Sequence, residues 1–269
     1  MGKVEKVLRW LWENSGRWAG LVAGPPGSGK TTFIRALLRV KRDSALLIRT
    51  KECDDEKAIA IEEKVVLQHI ASALHFTAER SIMPAIDRLT LYVNGSIESL
   101  ISTVESKFKP DIAEWIKSRL EMIMKLKQND KIFIPTCLQN YDEPYRRLTL
   151  GLLYAVRPKI PLPIILDDSF AFIINESYAQ AFVAMMRPYL LTINAYPDSR
   201  MLLSHSPVVL TPARIPATSR PPLTPLTRGA QTPGSGKIHR LVERDQYVIL
   251  FNGTIEKVKF KDIANLAQS

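Results

Sequence analysis

The chain has 269 residues, of which 46% are hydrophobic and 24% are charged, and its formal net charge is +10 at pH 7. That length and composition predict a globular protein with a buried core, either one large domain or one core with a sizeable insertion. No apolar run reaches the roughly 18 residues that a membrane crossing requires, so we expect no membrane span.

The cysteines and the N-terminus favour a cytoplasmic location. Cys53 and Cys137 are far apart, and no His or further Cys lies at metal-ligand spacing, so we expect two reduced thiols and neither a disulfide nor a zinc site. The first residues, "MGKVEKVLRWLWENSGR", mix charged with apolar residues, unlike a signal peptide.

Positive charge is concentrated at the two ends of the chain. Residues 1–50 hold ten Lys/Arg against three acidic residues, and residues 207–269 hold nine against four. Because Lys and Arg that neutralise phosphates release counterions, nucleic acid, including DNA, is the first candidate partner. Solubility alone, or acidic partners, is the alternative explanation of the charge. We also expect a protein partner or a homo-oligomer.

The first fifty residues have the pattern of a β-α-β unit. Apolar residues at helical spacing predict an amphipathic helix before Gly16, and "WAGLVAG" (18–24) is a short buried-strand pattern. A glycine-rich loop, the helical "TTFIRALLRVKR" and a strand-like "ALLIR" (45–49) follow.

The middle of the chain is predicted to be helical. From about residue 54 to residue 129, "AIAIEEKVVLQHIASAL", "IESLISTVESKF" and "DIAEWIKSRLEMIMKLK" all have helical patterns, which indicates an α-helical insertion at about 51–129.

Strands and helices alternate again beyond residue 130. "KIFIP", "LPIILDD" and "RMLLSHS" are predicted strands, whereas "PYRRLTLGLLYAV" and "ESYAQAFVAMMRPYLL" are predicted helices. This order predicts an α/β fold with a mainly parallel sheet. Residues 211–237 form a proline-rich loop or linker, and Asn252-Gly253 between apolar runs predicts a hairpin near 246–260. We expect a single domain over 1–269 whose core comprises residues 1–50 and 130–206.

The stretch "GPPGSGKT" matches the phosphate-binding loop G-x-x-x-x-G-K-[ST], with a strand before it and a helix after it. Its glycines let backbone amides approach phosphates, Lys30 would reach the β- and γ-phosphates, and the Thr31 hydroxyl would bind Mg²⁺. The predicted nucleotide-binding residues are Gly24, Pro25, Pro26, Gly27, Ser28, Gly29, Lys30, Thr31 and Thr32. A second "GSGK" at 234–237 follows proline-rich chain rather than a strand, and we predict a turn there.

Two adjacent carboxylates end the predicted strand "PIILDD". Asp167 at the strand tip would hold Mg²⁺ beside the phosphate loop. Asp168 occupies the position where many ATPases keep a glutamate that polarises the attacking water, one methylene longer. We therefore expect an ATPase, slow if Asp168 is its base, with ATP and Mg²⁺ as cofactors.

The chain from 144 to 206 resembles the second half of an ABC-type or SMC-like ATPase domain, within the ASCE type of phosphate-loop NTPases. The order "PYRRLTLGLLYAV", "PIILDD", "YAQAFVAMMRPYLL", "MLLSHS" carries the resemblance. It implies that Asp167 binds Mg²⁺, Asp168 takes the catalytic glutamate's position and His205 senses the γ-phosphate. "QNYDE" stands where that family has Leu-Ser-Gly-Gly, Ile174 replaces its loop aspartate, and a helix replaces its N-terminal strands.

"GPPGSGKTT" after a short amphipathic helix also resembles AAA+ and archaeal STAND-like ATPases, and Ser204 or Ser206 would then contact the γ-phosphate. Two other functions use the same loop: a non-hydrolysing, ATP-gated scaffold or switch that recruits a partner, and a small-molecule kinase. The sequence leaves these alternatives open.

Overall fold

The computed structural model describes residues 2–41, 45–51, 53, 57–167, 186–194, 205–212, 242 and 245–268. It has an α/β fold with a mostly parallel, mixed seven-stranded sheet flanked by helices, and a second sheet of three strands. The chain divides into two compact units. The first comprises Met1–Leu46, Leu162–Phe170 and Arg187–Ser269, and the second comprises Leu47–Pro161 with Ala171–Met186.

In chain order, the helices and strands are α1 (Lys3–Glu13), β1 (Ala19–Ala23), α2 (Lys30–Val40), β2 (Leu46–Arg49), β3 (Ala58–Glu62), α3 (Glu63–Gln68), α4 (Ile70–His75), α5 (Met83–Leu89), α6 (Ile97–Lys107), α7 (Pro110–Met124), β4 (Lys127–Gln128), β5 (Lys131–Pro135), α8 (Glu143–Val156), β6 (Ile164–Asp167), β7 (Tyr189–Ile193), β8 (Val208–Leu210), β9 (Gln246–Phe251), β10 (Thr254–Lys259) and α9 (Phe260–Gln268). None of these helices combines the length and apolar character that a membrane crossing requires.

The large sheet has the strand order β10-β9-β8-β1-β7-β6-β2. Strands β8, β1, β7 and β6 are parallel to one another, and β9 and β10 extend the sheet beyond β8 in antiparallel fashion. Because parallel strands end at the same edge, the residues that follow β1, β6, β7 and β8 all lie at one edge of this sheet.

Buried tryptophans fix helix α1 in the first unit. Its apolar face buries Leu8, Leu11 and Trp12, as the helical spacing predicts. The Trp12 indole N–H donates to Leu37 O over 2.6 Å, and the Trp18 indole N–H donates to Leu11 O over 3.1 Å. These bonds satisfy the polar end of each ring while the rest is buried, which attaches α1 to α2 and to the start of β1.

The C-terminal hairpin is confirmed. Strands β9 and β10 pair in antiparallel register around Asn252 and Gly253, whose φ angles are 48° and 76°. Two left-handed residues in succession form the turn whose twist matches paired strands. Helix α9, which we did not predict, follows directly and packs against α2.

The second unit contains strands where the sequence predicted only helices. Strand β3, Ala58–Glu62, pairs with β5, and β5 pairs with β4, in a three-stranded antiparallel sheet. The prediction of helix over "AIAIE" was wrong, because these residues alternate between two faces of a strand and pair with "KIFIP". Helices α3 to α7 occupy most of the remaining predicted insertion.

The expectation of two reduced thiols was also wrong, because Cys53 and Cys137 form a disulfide with their Cα atoms 5.8 Å apart. Arg49 N donates to Thr136 O, and Arg49 forms a β-bridge with Cys137, so the chain after β2 runs beside the chain after β5. This tertiary pairing brings together two cysteines separated by 84 positions, which spacing alone does not reveal.

Two predicted boundaries also differ from the structure. Residues 189–191, predicted as the end of a helix, instead lie in the buried strand β7, Tyr189–Ile193, after Pro188. A proline ends a helical pattern and is tolerated at the start of a strand. The last predicted strand, "RMLLSHS", lies partly outside the described residues, and the observed strand β8 begins later, at Val208.

Candidate functional site

The predicted phosphate loop connects the carboxyl end of β1 to the first turn of α2. Gly27 and Gly29 have φ angles of 74° and 98°, in the left-handed region that favours glycine. A Cβ on Gly27 would meet nothing within 4 Å, so this position faces open space. A Cβ on Gly29 would lie 2.5 Å from Tyr247 Oη and 2.6 Å from Phe260 Cε2, so only glycine fits there.

The Lys30 side chain lies against the loop. It is 9% exposed, and its Nζ donates to Gly24 O over 2.8 Å and to Pro25 O over 3.0 Å. A largely buried ammonium beside a helix N-terminus makes the surroundings of the loop favourable to an anion.

Asp167 is held at the end of β6 by two threonines. Thr31 Oγ1 donates to its Oδ2 over 3.1 Å, and Thr192 Oγ1 donates to its Oδ1 over 3.0 Å. Asp167 is 7% exposed, so both oxygens of a nearly buried carboxylate accept hydrogen bonds. Thr31 and Asp167 are 136 positions apart, and the fold brings them into contact.

This pair suits a hard divalent cation. A hydroxyl and a carboxylate are oxygen ligands of the kind that Mg²⁺ prefers, and Mg²⁺ usually takes one or two protein ligands, with water and substrate phosphates completing its shell. In the described part of the chain, no three His, Cys, Asp or Glu side chains form a metal cluster. The residues present therefore fit a cation shared with a phosphate, rather than a cation enclosed by protein side chains.

Three residues of the site escaped the sequence analysis: Thr192, Thr211 and Tyr247. Thr211, just after β8, has its hydroxyl 2.6 Å from Ser28 Oγ and 3.1 Å from Ala23 O. Tyr247 in β9 donates its hydroxyl to Gly29 O over 2.9 Å. Their position in the chain could have identified two of them, since Thr192 and Thr211 lie at the carboxyl ends of strands that neighbour β1.

The other predicted loop residues differ in exposure. Ser28 is buried, Pro26 is exposed, and Pro25 and Thr32 are partly buried. The proposed base, Asp168, lies outside the described residues, as do Ser204 and the second "GSGK" at 234–237.

His205 is not brought to the loop. It precedes Ser206, which exchanges two backbone hydrogen bonds of 2.8 Å with Ala19 at the amino end of β1. The loop follows the opposite end of that five-residue strand, roughly 16 Å away at about 3.3 Å per residue. The His205 ring instead lies 6.3 Å from the ring of Tyr189. This position separates His205 and Ser206 from Lys30 and Thr31 and does not favour contact with a γ-phosphate.

No protein-family model matches the chain, and no curated protein and no solved structure is significantly similar to it.

Proposed function

We propose that this chain is a phosphate-loop NTPase of the ASCE type that binds ATP with Mg²⁺ and hydrolyses the γ-phosphate by attack of water. The observation that carries the proposal is the contact between Thr31 and Asp167, next to Lys30. A motif match can arise by chance in a loop, but the fold also places the Asp167 carboxylate beside the hydroxyl of Thr31, a residue of the motif.

The order of strands supports the proposal. Strand β1, which leads into the loop, and strand β6, which carries Asp167, lie in the same sheet with β7 between them. The site also lies at the carboxyl ends of parallel strands, where open α/β sheets bind their ligands.

Each residue has a role that follows from its chemistry. The amides at the start of α2 and the Lys30 ammonium bind phosphate oxygens and neutralise charge that develops on them. Thr31 and Asp167 would hold Mg²⁺, which would supply positive charge beside the phosphates and stabilise the charge that develops during hydrolysis. Thr192 orients the Asp167 carboxylate through Oδ1.

Asp168 is proposed to accept a proton from the attacking water. It follows Asp167 directly in sequence, and a carboxylate can act as a general base at neutral pH. Its side chain is one methylene shorter than glutamate, so we propose slow turnover.

Helix α1 favours the AAA+ or STAND-like resemblance, whereas the position of His205 and Ser206 counts against the γ-phosphate contact that each resemblance assigns to one of them. An amphipathic helix precedes the loop strand, and the predicted switch histidine lies at the opposite sheet edge. The lineage remains a proposal, and the proposed chemistry at the loop is the same in both cases.

Nucleotide binding is tested by titrating a fluorescent ATP analogue with and without Mg²⁺. Lys30→Ala should weaken binding by at least tenfold, because a charge-assisted contact to phosphate is lost. The matched control is Arg39→Ala, which removes one positive charge from an exposed position on the same helix and should bind like the native chain. Equal affinity in all three proteins would refute the proposed site.

Turnover is tested separately, by single-turnover hydrolysis of ATP in the native chain and in Asp168→Asn. We expect slow hydrolysis in the native chain and bound, intact ATP in the variant. Bound ATP that stays intact in both proteins would instead identify an ATP-gated scaffold or switch. Transfer of phosphate to a small molecule in place of water would identify a kinase.

A further inference from the structure

The C-terminal hairpin contacts the phosphate loop at its last glycine. Tyr247, in β9, donates its hydroxyl to Gly29 O over 2.9 Å, although the two residues are 218 positions apart. The same carbonyl accepts Phe33 N–H over 2.9 Å in the first turn of α2. Both lone pairs of Gly29 O are therefore engaged, one by the helix and one by the hairpin.

The Tyr247 ring is itself held in place by aromatic neighbours. It stacks on Phe260 with an interplanar angle of 10° and a centroid distance of 5.8 Å, and it lies 5.5 Å from the ring of Phe33. Tyr247 is fully buried. Residues of β9, α9 and α2 thus fix the direction of the hydroxyl that contacts the loop.

The bond to Gly29 O also determines where a backbone amide points. In a trans peptide the carbonyl and the amide N–H point in opposite directions. Because Gly29 O points towards Phe33 and Tyr247, the N–H of Lys30 points the other way, out of the N-terminus of α2. This direction at a helix start is the one from which amides bind phosphate.

We propose that Tyr247 is a positioning residue for phosphate binding, which holds the Gly29–Lys30 peptide with its N–H directed at the nucleotide's phosphates. Gly29 has a left-handed backbone and carries no side chain that could restrain this peptide. The hairpin therefore adds a second restraint on this peptide, beside the helical hydrogen bond from Phe33 N–H. The inference rests on the proposed function, because it assigns Tyr247 to the same site.

The test compares Tyr247→Phe with the native chain in binding inorganic pyrophosphate and the fluorescent ATP analogue. Pyrophosphate has neither base nor sugar, so its affinity measures the phosphate contacts alone. We expect Tyr247→Phe to weaken both ligands by about three- to tenfold, the loss that corresponds to one hydrogen bond.

The matched control is Tyr189→Phe. Tyr189 is also fully buried in the first unit, and its hydroxyl is buried with no hydrogen-bond partner among the described residues. Tyr189 lies at the amino end of β7, so loss of its hydroxyl should leave the affinities for both ligands unchanged. A purely structural role for Tyr247 would lower the melting temperature without changing either affinity, and that result would overturn the inference.

A second variant decides the matter if Tyr247→Phe is too unstable to assay. Phe260→Leu retains the Tyr247 hydroxyl but removes the ring that stacks on it, and should weaken pyrophosphate binding about twofold or more. An unchanged affinity there would overturn the inference as well. If the native chain binds neither ligand, the proposed function fails, whereas binding by the native chain that both variants retain refutes only the role of Tyr247.

Discussion

Thr192 and Asp167 are joined by a hydrogen bond at the carboxyl ends of neighbouring strands, with Thr192 Oγ1 donating to Asp167 Oδ1 over 3.0 Å. Asp167 Oδ2 accepts from Thr31. One nearly buried carboxylate is thus oriented from two sides, by α2 and by β7.

Replacing Thr192 by valine should weaken the affinity for Mg²⁺, so that ATP binding requires a higher Mg²⁺ concentration. Valine has the same shape but no donor, so Asp167 loses one of the hydrogen bonds that orient it. The Mg²⁺ concentration for half-maximal binding should rise on the order of tenfold, as for other partners of metal-binding side chains. The control is Thr149→Val, which removes a buried hydroxyl bonded to Tyr145 O in α8. A shift of equal size in both variants would contradict the assignment.

Gly29→Ala should be more damaging than Gly253→Ala. Both glycines have positive φ angles, 98° and 76°, so both substitutions carry the cost of a left-handed alanine, about 1 kcal/mol. Only at Gly29 would the new Cβ also meet Tyr247 and Phe260, and overpacking of this kind costs a further 1–3 kcal/mol, roughly. Urea unfolding measures the difference. Equal urea midpoints for the two variants would show that Tyr247 and Phe260 can shift to accommodate the new Cβ without loss of stability.

Reduction of the disulfide should destabilise the second unit. Cys53 and Cys137 are separated by 84 positions, and closing a loop of this length stabilises a fold by up to about 4 kcal/mol in the chain-entropy model. We expect the urea midpoint of the native chain to fall in dithiothreitol, and that of Cys53→Ser/Cys137→Ser to be insensitive to it. Two titratable thiols in the unreduced native chain would contradict the disulfide.

The stability of the second unit should depend on pH through the ionisation of Glu98. A hydrogen bond from Lys127, together with backbone and Ser96 hydrogen bonds, lowers the pKa of Glu98 to about 2, from its ordinary value of 4.5. A lowered pKa in the folded state stabilises the fold at pH above about 4.5, and this contribution disappears as the pH falls towards 2. Because half of the side chain is exposed, its size should not exceed about 1 kcal/mol.

The measurement for Glu98 is the free energy of unfolding at pH 7, 4.5 and 2.5. Glu98→Gln should be less stable than the native chain at pH 7, and the difference should shrink at pH 2.5. Glu79→Gln, which removes an exposed carboxylate of the same unit, serves as the control. A difference that is the same at all three pH values would contradict the role of charge.

Binding to nucleic acid should be salt-dependent and should involve the lysines of strand β10. Lys257 and Lys259 are exposed on β10. Affinity for a mixed-sequence DNA duplex should fall at least tenfold, roughly, between 50 and 200 mM salt, because phosphate contacts release counterions. Lys257→Gln/Lys259→Gln should bind more weakly than Lys107→Gln/Lys109→Gln, an equally spaced exposed pair in the second unit. Affinity that does not change with salt would argue against phosphate contacts and favour a protein partner.

Local patterns were sufficient to predict several elements. The helical spacing of α1, the buried run of β1, the glycine loop and the Asn252-Gly253 turn each depend on interactions within a few residues. Their structures agree with the sequence prediction for that reason. Strand β7 and strand β3 were missed because their short apolar runs continue into helical patterns, and only pairing with β1 or β5 makes them strands.

The sequence by itself determined a glycine-rich loop that places Lys30 and Thr31 at the start of a helix, and a carboxylate at the tip of a buried strand. Only the tertiary structure decided that Asp167 touches Thr31, that Thr192 and Tyr247 belong to the site, and that His205 does not. These relationships depend on which strands are neighbours and in which direction they run. The hydrogen bonds join residues 25, 136 and 218 positions apart, and such separations leave no local pattern in the chain.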